Sequence, residues 1–353
     1  MAKIAILGFG TVGSGVYEVL CRNAAGVSRR AGEPVEVKYI LDPKDFSAHP
    51  AAQLFIKNFD TILEDPEVKV VVETIGGTRF AYPYVKACLE SGRSVCTSNK
   101  EMVATYGAEL LALAKAHGCA FLFEASVGGG TPIITPMHQC LAANVITEVE
   151  GIVNGTTNFM LTKMVRENLG FDEALKIAQE LGYAEADPSA DIDGDDVRRK
   201  LTISANIAFD TLLREEDIPM FGIRTVTDED IRTFQAHGFV CKLLATAKAA
   251  EGGVCAFIEP TLVASHDLEA AVPKNFNLIT YYGEKIGRHS FFGQGAGRYP
   301  TAFNAVEDCL DILAGKRGFY TDAMRPTAVT NTEEAHPYYV RTACPDEFLQ
   351  SVT

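Results

Sequence analysis

The chain has 353 residues, which is enough for two to three domains of ordinary size, each with a sizeable core. Hydrophobic residues make up 47% and charged residues 22% of the chain, which excludes global disorder and small disulfide-stapled folds. A net charge of −14 disfavours nucleic acid and anionic membrane surfaces as partners, and no apolar run approaches the roughly 18 residues of a membrane span.

The first third of the chain alternates short Val- and Ile-rich runs with longer helical patterns, which is the order of β-α-β units around a parallel sheet. The predicted strands are Lys3–Leu7, Val35–Leu41, Val68–Ile75, Ser94–Thr97 and Ala120–Glu124, and the predicted helices are Val12–Asn23, Ala81–Ser91 and Met102–His117. Gly92 and Gly118 stand where two of these helices are expected to end. We expect a doubly wound α/β domain.

A glycine motif, Gly8-Phe9-Gly10-Thr11-Val12-Gly13, follows the first predicted strand and opens the first helix, as the G-x-G-x-x-G pattern requires. The first glycine permits a tight turn, the second lets the backbone approach a pyrophosphate, and the third lets helix and sheet pack closely. The anion then lies at the positive helix N-terminus. The motif therefore predicts dinucleotide binding by a Rossmann-type domain.

The residue that reads the adenosine ribose in such domains ends the second strand, and here Asp42 has that place. Its carboxylate would accept hydrogen bonds from a free 2′-hydroxyl and repel a 2′-phosphate, so the sequence favours NAD over NADP. Two alternatives remain open. Lys44 could neutralise a phosphate, and Asp42 with Pro43 could simply open a turn.

Two segments after later strands carry candidate ligands. Ser98-Asn99-Lys100 follows a predicted strand, and in open α/β sheets such positions face the cofactor cleft, although a solvated lysine is the alternative. Glu124 and the carbonyls around Gly128-Gly129-Gly130 offer oxygen ligands of the kind that a hard cation prefers. Packing glycines at a domain hinge would give the same pattern.

From residue 131 onward, helical patterns mix with long alternating strands. Helices are predicted at Asp172–Leu181, Asp196–Phe209 and Thr301–Leu313, and strands at Lys242–Lys248, Val254–Val263, Asn275–Tyr282 and Lys285–Phe292. Short glycine-containing connections join these strands into antiparallel pairs. We therefore expect a second, α+β domain.

The densest polar segment, residues 182–200, contains Asp196 and Lys200 four positions apart on a predicted helix, so both side chains share one face. An exposed ion pair worth about 0.3–0.5 kcal/mol is the ordinary meaning of this spacing. A lysine oriented by a carboxylate can also act as general acid and base toward a substrate oxygen. The glycine spacing excludes an EF-hand calcium loop.

From residue 8 to about residue 313 the chain resembles the homoserine dehydrogenase family, in the order and spacing of the strings GFGTVGSG, TSNKEMVA, EASVGGGTPII, EGIVNGTTNFML, LGYAEADPSADIDGDDVRRKL, KLLA and FFGQGAGRYPTA. The resemblance implies reversible, NAD(P)-dependent interconversion of L-homoserine and L-aspartate 4-semialdehyde, a step toward threonine and methionine. It also implies a homodimer built on the sheet of the second domain.

The resemblance further implies residue roles. Lys200 would be the proton donor and acceptor at the alcohol or aldehyde oxygen, and Asp196 would hold the substrate and the lysine. Lys100 would lie between cofactor and substrate. Glu185 would bind the substrate's amino group, with Asp191 in the same substrate-binding set. The implied cofactor-binding residues are Gly8, Gly10, Thr11, Val12, Gly13, Asp42, Thr74, Ser98, Lys100 and Gly297, and a structural sodium ion is implied at Glu124, Val127, Gly129 and Thr131.

One formal motif is set aside. Asn154-Gly155-Thr156 matches a glycosylation acceptor, which the lack of a secretory signal disfavours, and the family resemblance implies that it is instead the structural start of a helix. The nine cysteines are odd in number and form no C-x-x-C pair, so we expect reduced thiols. Together these features predict a cytoplasmic protein.

The expected domain organisation has three parts. Residues 1–130 and 299–316 would form the NAD(P)-binding Rossmann domain, residues 131–298 the catalytic and dimerisation domain, and residues 317–353 a tail. Within the tail, His336–Arg341 resembles the first strand of an ACT domain. Only twelve residues follow Arg341, too few for a ligand-binding ACT fold, so we do not expect threonine feedback through this segment.

Two other functions compete with this interpretation. Another two-domain dehydrogenase would carry an E-K-P string or a catalytic cysteine at a helix start, and the sequence has neither. A non-catalytic dinucleotide sensor would keep the glycine loop but would have little reason to keep Glu185, Asp196 and Lys200 together.

Overall fold

The computed structural model describes residues 1–319, 324–331 and 335–343. Within these residues the first sheet has six parallel strands in the order β3-β2-β1-β4-β5-β6. The strands are β1 (Ala2–Leu7), β2 (Val35–Leu41), β3 (Phe55–Ile56), β4 (Val68–Glu73), β5 (Ser94–Thr97) and β6 (Phe121–Leu122). This is the strand order of a dinucleotide-binding Rossmann sheet, and it confirms the predicted doubly wound domain.

Helices connect these strands. They are α1 (Thr11–Arg22), α2 (Ala24–Ala31), α3 (Asp60–Leu63), α4 (Ala81–Glu90) and α5 (Lys100–Ala116). Consecutive residues of the central strand β4, such as Val70, Val71 and Val72, are all buried, as expected when both faces of a parallel sheet are covered. β4 ends at Glu73, earlier than predicted, because the Glu73 carboxylate accepts from the backbone N–H groups of Ile75 and Gly76 and turns the chain.

The second sheet is antiparallel, with five strands in the order β10-β9-β7-β11-β12 in the described part of the chain. The strands of this half are β7 (Ile146–Ile152), β8 (Thr211–Leu212), β9 (Phe239–Ala250), β10 (Gly253–Ala264), β11 (Phe276–Gly283), β12 (Gly287–Gln294) and β13 (Arg325–Pro326). The central strand β7 was not predicted. Its two glutamates and one glycine are poor strand formers, and its place depends on pairing with β9 and β11.

The helices of the second half are α6 (Ile134–Leu141), α7 (Gly155–Glu167), α8 (Phe171–Glu180), α9 (Ser189–Ile192), α10 (Asp195–Phe209), α11 (Asp228–Ala236), α12 (Leu268–Ala271) and α13 (Arg298–Leu313). α10 is almost wholly buried and packs against β7, β9 and, across the domain boundary, α5. α13 returns to the first sheet and packs against α1 and α2. These two helices join the domains.

The described part of the tail packs on the second domain. β13 pairs with β8, and Asn331 makes two hydrogen bonds with the backbone of Ala256 in β10. His336–Arg341, which resembles an ACT strand in sequence, forms no strand here. Instead, the Arg341 guanidinium and the Tyr339 hydroxyl bind Asp230, because that carboxylate is presented at the N-terminus of α11.

Seven of the described cysteines are free thiols, namely Cys21, Cys88, Cys96, Cys119, Cys140, Cys241 and Cys309, while Cys344 lies outside the described residues. Among the described helices, none combines the length and the apolar character needed to cross a membrane.

Candidate active site

The glycine loop forms a cradle at the carboxyl end of β1. Gly8 has a φ of +90°, and a Cβ on Gly13 would lie 2.0 Å from the Gly8 carbonyl oxygen, so both positions require glycine. Gly10, by contrast, faces open space and precedes Thr11 and Val12 at a helix N-terminus without a side-chain cap. The N-terminus of α1 is therefore open to an anion, which fits the pyrophosphate of a dinucleotide.

Thr74 supports this cradle from the neighbouring strand. Its Oγ1 lies 3.0 Å from both the Leu7 and the Gly8 carbonyl oxygens, so its single O–H group can donate to either. Thr74 thus holds the loop in shape, which is a structural contribution to a cofactor site.

A pocket of about 410 Å³ adjoins the loop. Asp42 lines this pocket, but both of its carboxylate oxygens already accept backbone N–H groups, from Phe9 at 2.7 Å and from Lys44 at 2.8 Å. Lys44 and Lys57 line the same pocket, and the Lys57 ammonium is 2.9 Å from the Asp42 carbonyl oxygen. The sequence interpretation missed Lys57, because its approach depends on the pairing of β2 with β3.

Ser98 and Lys100 flank the start of α5. Asn99 between them caps this helix, since its Oδ1 accepts the N–H of Met102 at 3.1 Å. The cap places Lys100 at the first helical position, where its side chain reaches across to α10. Ser98 lies at the carboxyl end of β5, and its N–H donates to the Glu73 carbonyl oxygen at 3.4 Å.

The buried carboxylate of Asp196 joins the two domains. Its Oδ1 lies 2.8 Å from Lys100 Nζ, and its Oδ2 lies 2.7 Å from Lys200 Nζ. Lys200 Nζ also donates to the Val153 carbonyl oxygen at 2.7 Å, and Asn154 Nδ2 donates to Asp196 Oδ2 at 2.9 Å. The four-residue spacing of Asp196 and Lys200 therefore gives a buried contact and not the exposed ion pair that was the ordinary alternative.

The three charges shift one another's pKa values. Burial would raise the pKa of Asp196, but the charges of Lys200 and Lys100 outweigh it and hold the pKa well below the usual range. Burial lowers the pKa of Lys200 despite the neighbouring Asp196 charge, whereas the Asp196 charge raises the pKa of Lys100. The two lysines of the site are thus shifted in opposite directions, so that Lys200 loses its proton more easily than Lys100.

The other predicted substrate ligands lie near the cluster to different degrees. Asp191 Oδ1 accepts from Asn154 Nδ2 at 2.7 Å, and burial raises the pKa of this carboxyl group. Glu185 lies exposed in the loop between α8 and α9.

Gly297, a predicted cofactor-binding residue, precedes α13 with a φ of +131°. The following Arg298 packs closely on α1, since a Cβ on Gly15 would lie 2.7 Å from the Arg298 carbonyl oxygen.

In the predicted cation site, Glu124 also stabilises a helix N-terminus. The Glu124 carboxylate caps α6, because its oxygens accept the backbone N–H groups of residues 133, 134 and 135 at 2.6–2.9 Å. An ion bound to this carboxylate would share it with the three N–H groups, and the carbonyl oxygens of Val127, Gly129 and Thr131 are the other predicted ligands. The Gly129 carbonyl oxygen accepts from Asn304 at 2.7 Å, and the buried Thr131 hydroxyl has no hydrogen-bond partner in the described structure. Oxygen atoms of this kind fit a hard cation.

Comparisons with known proteins agree with this geometry. A family model described as homoserine dehydrogenase matches residues 132–310, and one described as the homoserine dehydrogenase NAD binding domain matches residues 8–124. Homoserine dehydrogenase of Bacillus subtilis is 40% identical over 320 residues, which cover 89% of this chain and 73% of that protein.

Solved structures give the same result. The crystal structure of a homoserine dehydrogenase from Thiobacillus denitrificans has a TM-score of 0.89 at 38% identity, covering 93% of this chain and 79% of that one. A hyperthermophilic archaeal homoserine dehydrogenase in complex with NADPH has a TM-score of 0.76 at 27% identity, covering 89% of this chain and 98% of that one. A nicotinamide dinucleotide is thus the cofactor, and the chain belongs to the homoserine dehydrogenase family.

Proposed function

We propose that Lys200 accepts the alcohol proton when L-homoserine is oxidised to L-aspartate 4-semialdehyde and returns it in the reverse reaction. The observation that carries this proposal is the buried contact between Lys200 and Asp196, with Lys100 on the other carboxylate oxygen. This cluster lies at the boundary of the domain that carries the glycine loop, where a bound cofactor and a small substrate can meet.

The contacts of Lys200 suit a proton-transfer group. A lysine ammonium has three N–H donors, and the Val153 carbonyl and Asp196 accept two of them. The remaining position can face a substrate oxygen. Because burial lowers the pKa of Lys200, the neutral amine that must act as base is more accessible than in an exposed lysine. When bound, the nicotinamide supplies or accepts the hydride.

Lys100 has a different role from Lys200, because it acts as a charge and not as a base. The Asp196 charge raises its pKa, so Lys100 stays protonated and holds the carboxylate from the first domain. Glu185 and Asp191 would bind the substrate ammonium as anionic partners. Asp191 is linked to the cluster by Asn154, which donates to both Asp191 and Asp196, whereas Glu185 is exposed.

The preference for NAD over NADP also belongs to this proposal. Asp42 places a fixed negative charge beside the pocket, which opposes a 2′-phosphate. Lys44 and Lys57 act in the other direction, because their ammonium groups can offset that charge. The comparison of kcat/KM for the two cofactors measures which effect is larger, and a strong NADP preference would overturn the assignment to Asp42.

A structural sodium ion and a homodimer complete the proposal. The ion would be held by Glu124 and by the carbonyls of Val127, Gly129 and Thr131. The dimer would use the face of the second sheet that carries Phe292, which is 54% exposed and stacks on Phe276. Light scattering of the wild type and of Phe292→Glu tests the dimer. A monomeric wild type would contradict it.

Initial rates of NAD(P)H formation test the function. We expect rapid turnover of L-homoserine and very slow turnover of 4-hydroxybutyrate, which has the alcohol but lacks the amino group that Glu185 and Asp191 would bind. Equal rates on the two alcohols would refute the assigned substrate contacts, and no turnover of L-homoserine with either cofactor would refute the function.

A further inference from the structure

Asn154 makes an extensive set of hydrogen bonds where the chain enters α7. It is the N-cap residue of this helix, and only 4% of it is exposed. Its Oδ1 accepts from the Thr157 N–H at 2.8 Å and from the Thr157 hydroxyl at 3.0 Å. Because a helix N-terminus offers N–H donors, the amide oxygen must face α7, and the amide nitrogen must face away from it.

The amide nitrogen faces the two buried carboxylates. Nδ2 donates to Asp191 Oδ1 at 2.7 Å and to Asp196 Oδ2 at 2.9 Å. The latter oxygen also accepts from Lys200, whose ammonium in turn donates to the carbonyl of Val153. Of two consecutive residues, Val153 thus contacts Lys200 and Asn154 contacts Asp196.

A neutral double donor suits this position. The charged groups around it are Asp191 of α9, Asp196 and Lys200 of α10, and Lys100 of α5. Burial raises the pKa of Asp191, the Asn154 hydrogen bond opposes this rise, and the Asp196 charge adds to it. A cation in place of Asn154 would compete with both lysines, and a side chain without donors would leave the two carboxylates facing each other.

We propose that Asn154 is a positioning residue for the reaction: it fixes Asp196, and Asp196 orients Lys200 toward the substrate oxygen. This inference rests on the proposed role of Lys200. It goes beyond the sequence interpretation, which gave Asn154 only a structural place at the start of a helix. Asn154 is not assigned any contact with the substrate.

Two substitutions separate positioning from helix capping. Asn154→Ser keeps an oxygen that can cap α7 but cannot donate to both carboxylates, and Asn154→Asp keeps the length and the cap but replaces the donor with a charge. Thr157→Val is the matched control, since it removes the hydroxyl that donates to Asn154 Oδ1 and touches neither carboxylate. Each is assayed for thermal stability, cofactor affinity and the pH dependence of kcat with L-homoserine.

For Asn154→Ser we expect kcat to fall at least tenfold, with cofactor affinity unchanged. We also expect the ascending limb of the pH profile to move to higher pH. Without the Asn154 donor, Asp196 Oδ2 accepts only from Lys200 and stabilises the protonated form of that lysine more strongly. Asn154→Asp should move the limb in the same direction, and Thr157→Val should leave it in place. If the serine variant does not fold, the aspartate variant carries the same test.

Two results would overturn the inference: equal losses of kcat in Asn154→Ser and Thr157→Val, or wild-type kcat and pH profiles in both Asn154 variants. Lys200→Ala is measured alongside to separate this failure from that of the proposed function. An active Lys200→Ala enzyme contradicts the proposed function, whereas an inactive one beside unaffected Asn154 variants contradicts this inference alone.

Discussion

Replacing Asp196 with asparagine removes the charge that Lys200 and Lys100 share but keeps the shape of the side chain. At the observed 2.7 Å, two unit charges interact by roughly 6 kcal/mol at an effective dielectric constant of about 20. This energy is an upper bound, because Asp191 remains nearby and water can enter. We therefore expect the pKa of Lys200 to fall in the variant, since the neighbouring negative charge that favours its protonated form is lost.

The direction of the pH effect follows from which form is active. The neutral amine of Lys200 is the base in homoserine oxidation, so a lower pKa moves the ascending limb of the kcat profile to lower pH. The plateau should also fall, by about 100-fold, because the amine is no longer held in place. Initial rates of NAD(P)H formation at saturating L-homoserine and cofactor, measured across the pH range in which the variant stays folded, test both effects.

Asp195→Asn is the matched control for Asp196→Asn. Asp195 precedes Asp196 in α10 but pairs with Arg198 at 2.8 Å and makes no contact with either lysine in the described structure. Its pH profile should match that of the wild type. A limb that stays in place or moves to higher pH in folded Asp196→Asn would refute the view that Asp196 is the main charge stabilising protonated Lys200.

Three further predictions concern the cofactor site and the N-terminus of α6. Asp42→Ser should raise the NADP-to-NAD ratio of kcat/KM by about tenfold, which corresponds to about 1.4 kcal/mol, and an unchanged ratio would contradict the role of that charge. Gly13→Ala should destabilise the fold and abolish NADH binding in fluorescence titrations, since the new Cβ would lie 2.0 Å from a carbonyl oxygen. Gly10→Ala should weaken NADH binding with little change in melting temperature, because a Cβ at this position meets no other atom. Glu124→Gln should lower the free energy of unfolding by about 1–3 kcal/mol in urea titrations, because the amide keeps one acceptor oxygen but places an NH2 donor where the second oxygen accepted an N–H group of α6. Unchanged stability would show that this cap is dispensable.

Local patterns predicted much of the fold. The structure has β2 and β5 with the predicted bounds, because β-branched and aromatic residues follow soon after a glycine in both segments and leave few alternatives. The helix that carries Asp196 and Lys200 was predicted to within one residue for a similar reason, and their shared face follows from helical periodicity. β7 was missed, because its Glu-rich sequence is a strand only through its neighbours.

The site was harder to predict than the fold, since its contacts join distant parts of the chain. Nothing local indicates that the Val153 carbonyl accepts a hydrogen bond from Lys200, or that Lys100 also contacts the Asp196 carboxylate. The caps show the same limit. The sequence interpretation did not foresee that Glu124 caps α6 or that Asn154 donates to Asp196, because the partners of a carboxylate or an amide depend on tertiary packing.

Turnover of L-homoserine by Lys200→Ala tests the central claim most directly. The rate of NAD(P)H formation is measured together with cofactor affinity, which should remain close to that of the wild type because Lys200 lies on α10 and not in the glycine loop. We predict a loss of kcat of roughly 100- to 10,000-fold or more, the usual contribution of a positioned acid–base group. A folded Lys200→Ala enzyme that binds cofactor and keeps most of its kcat would contradict the account.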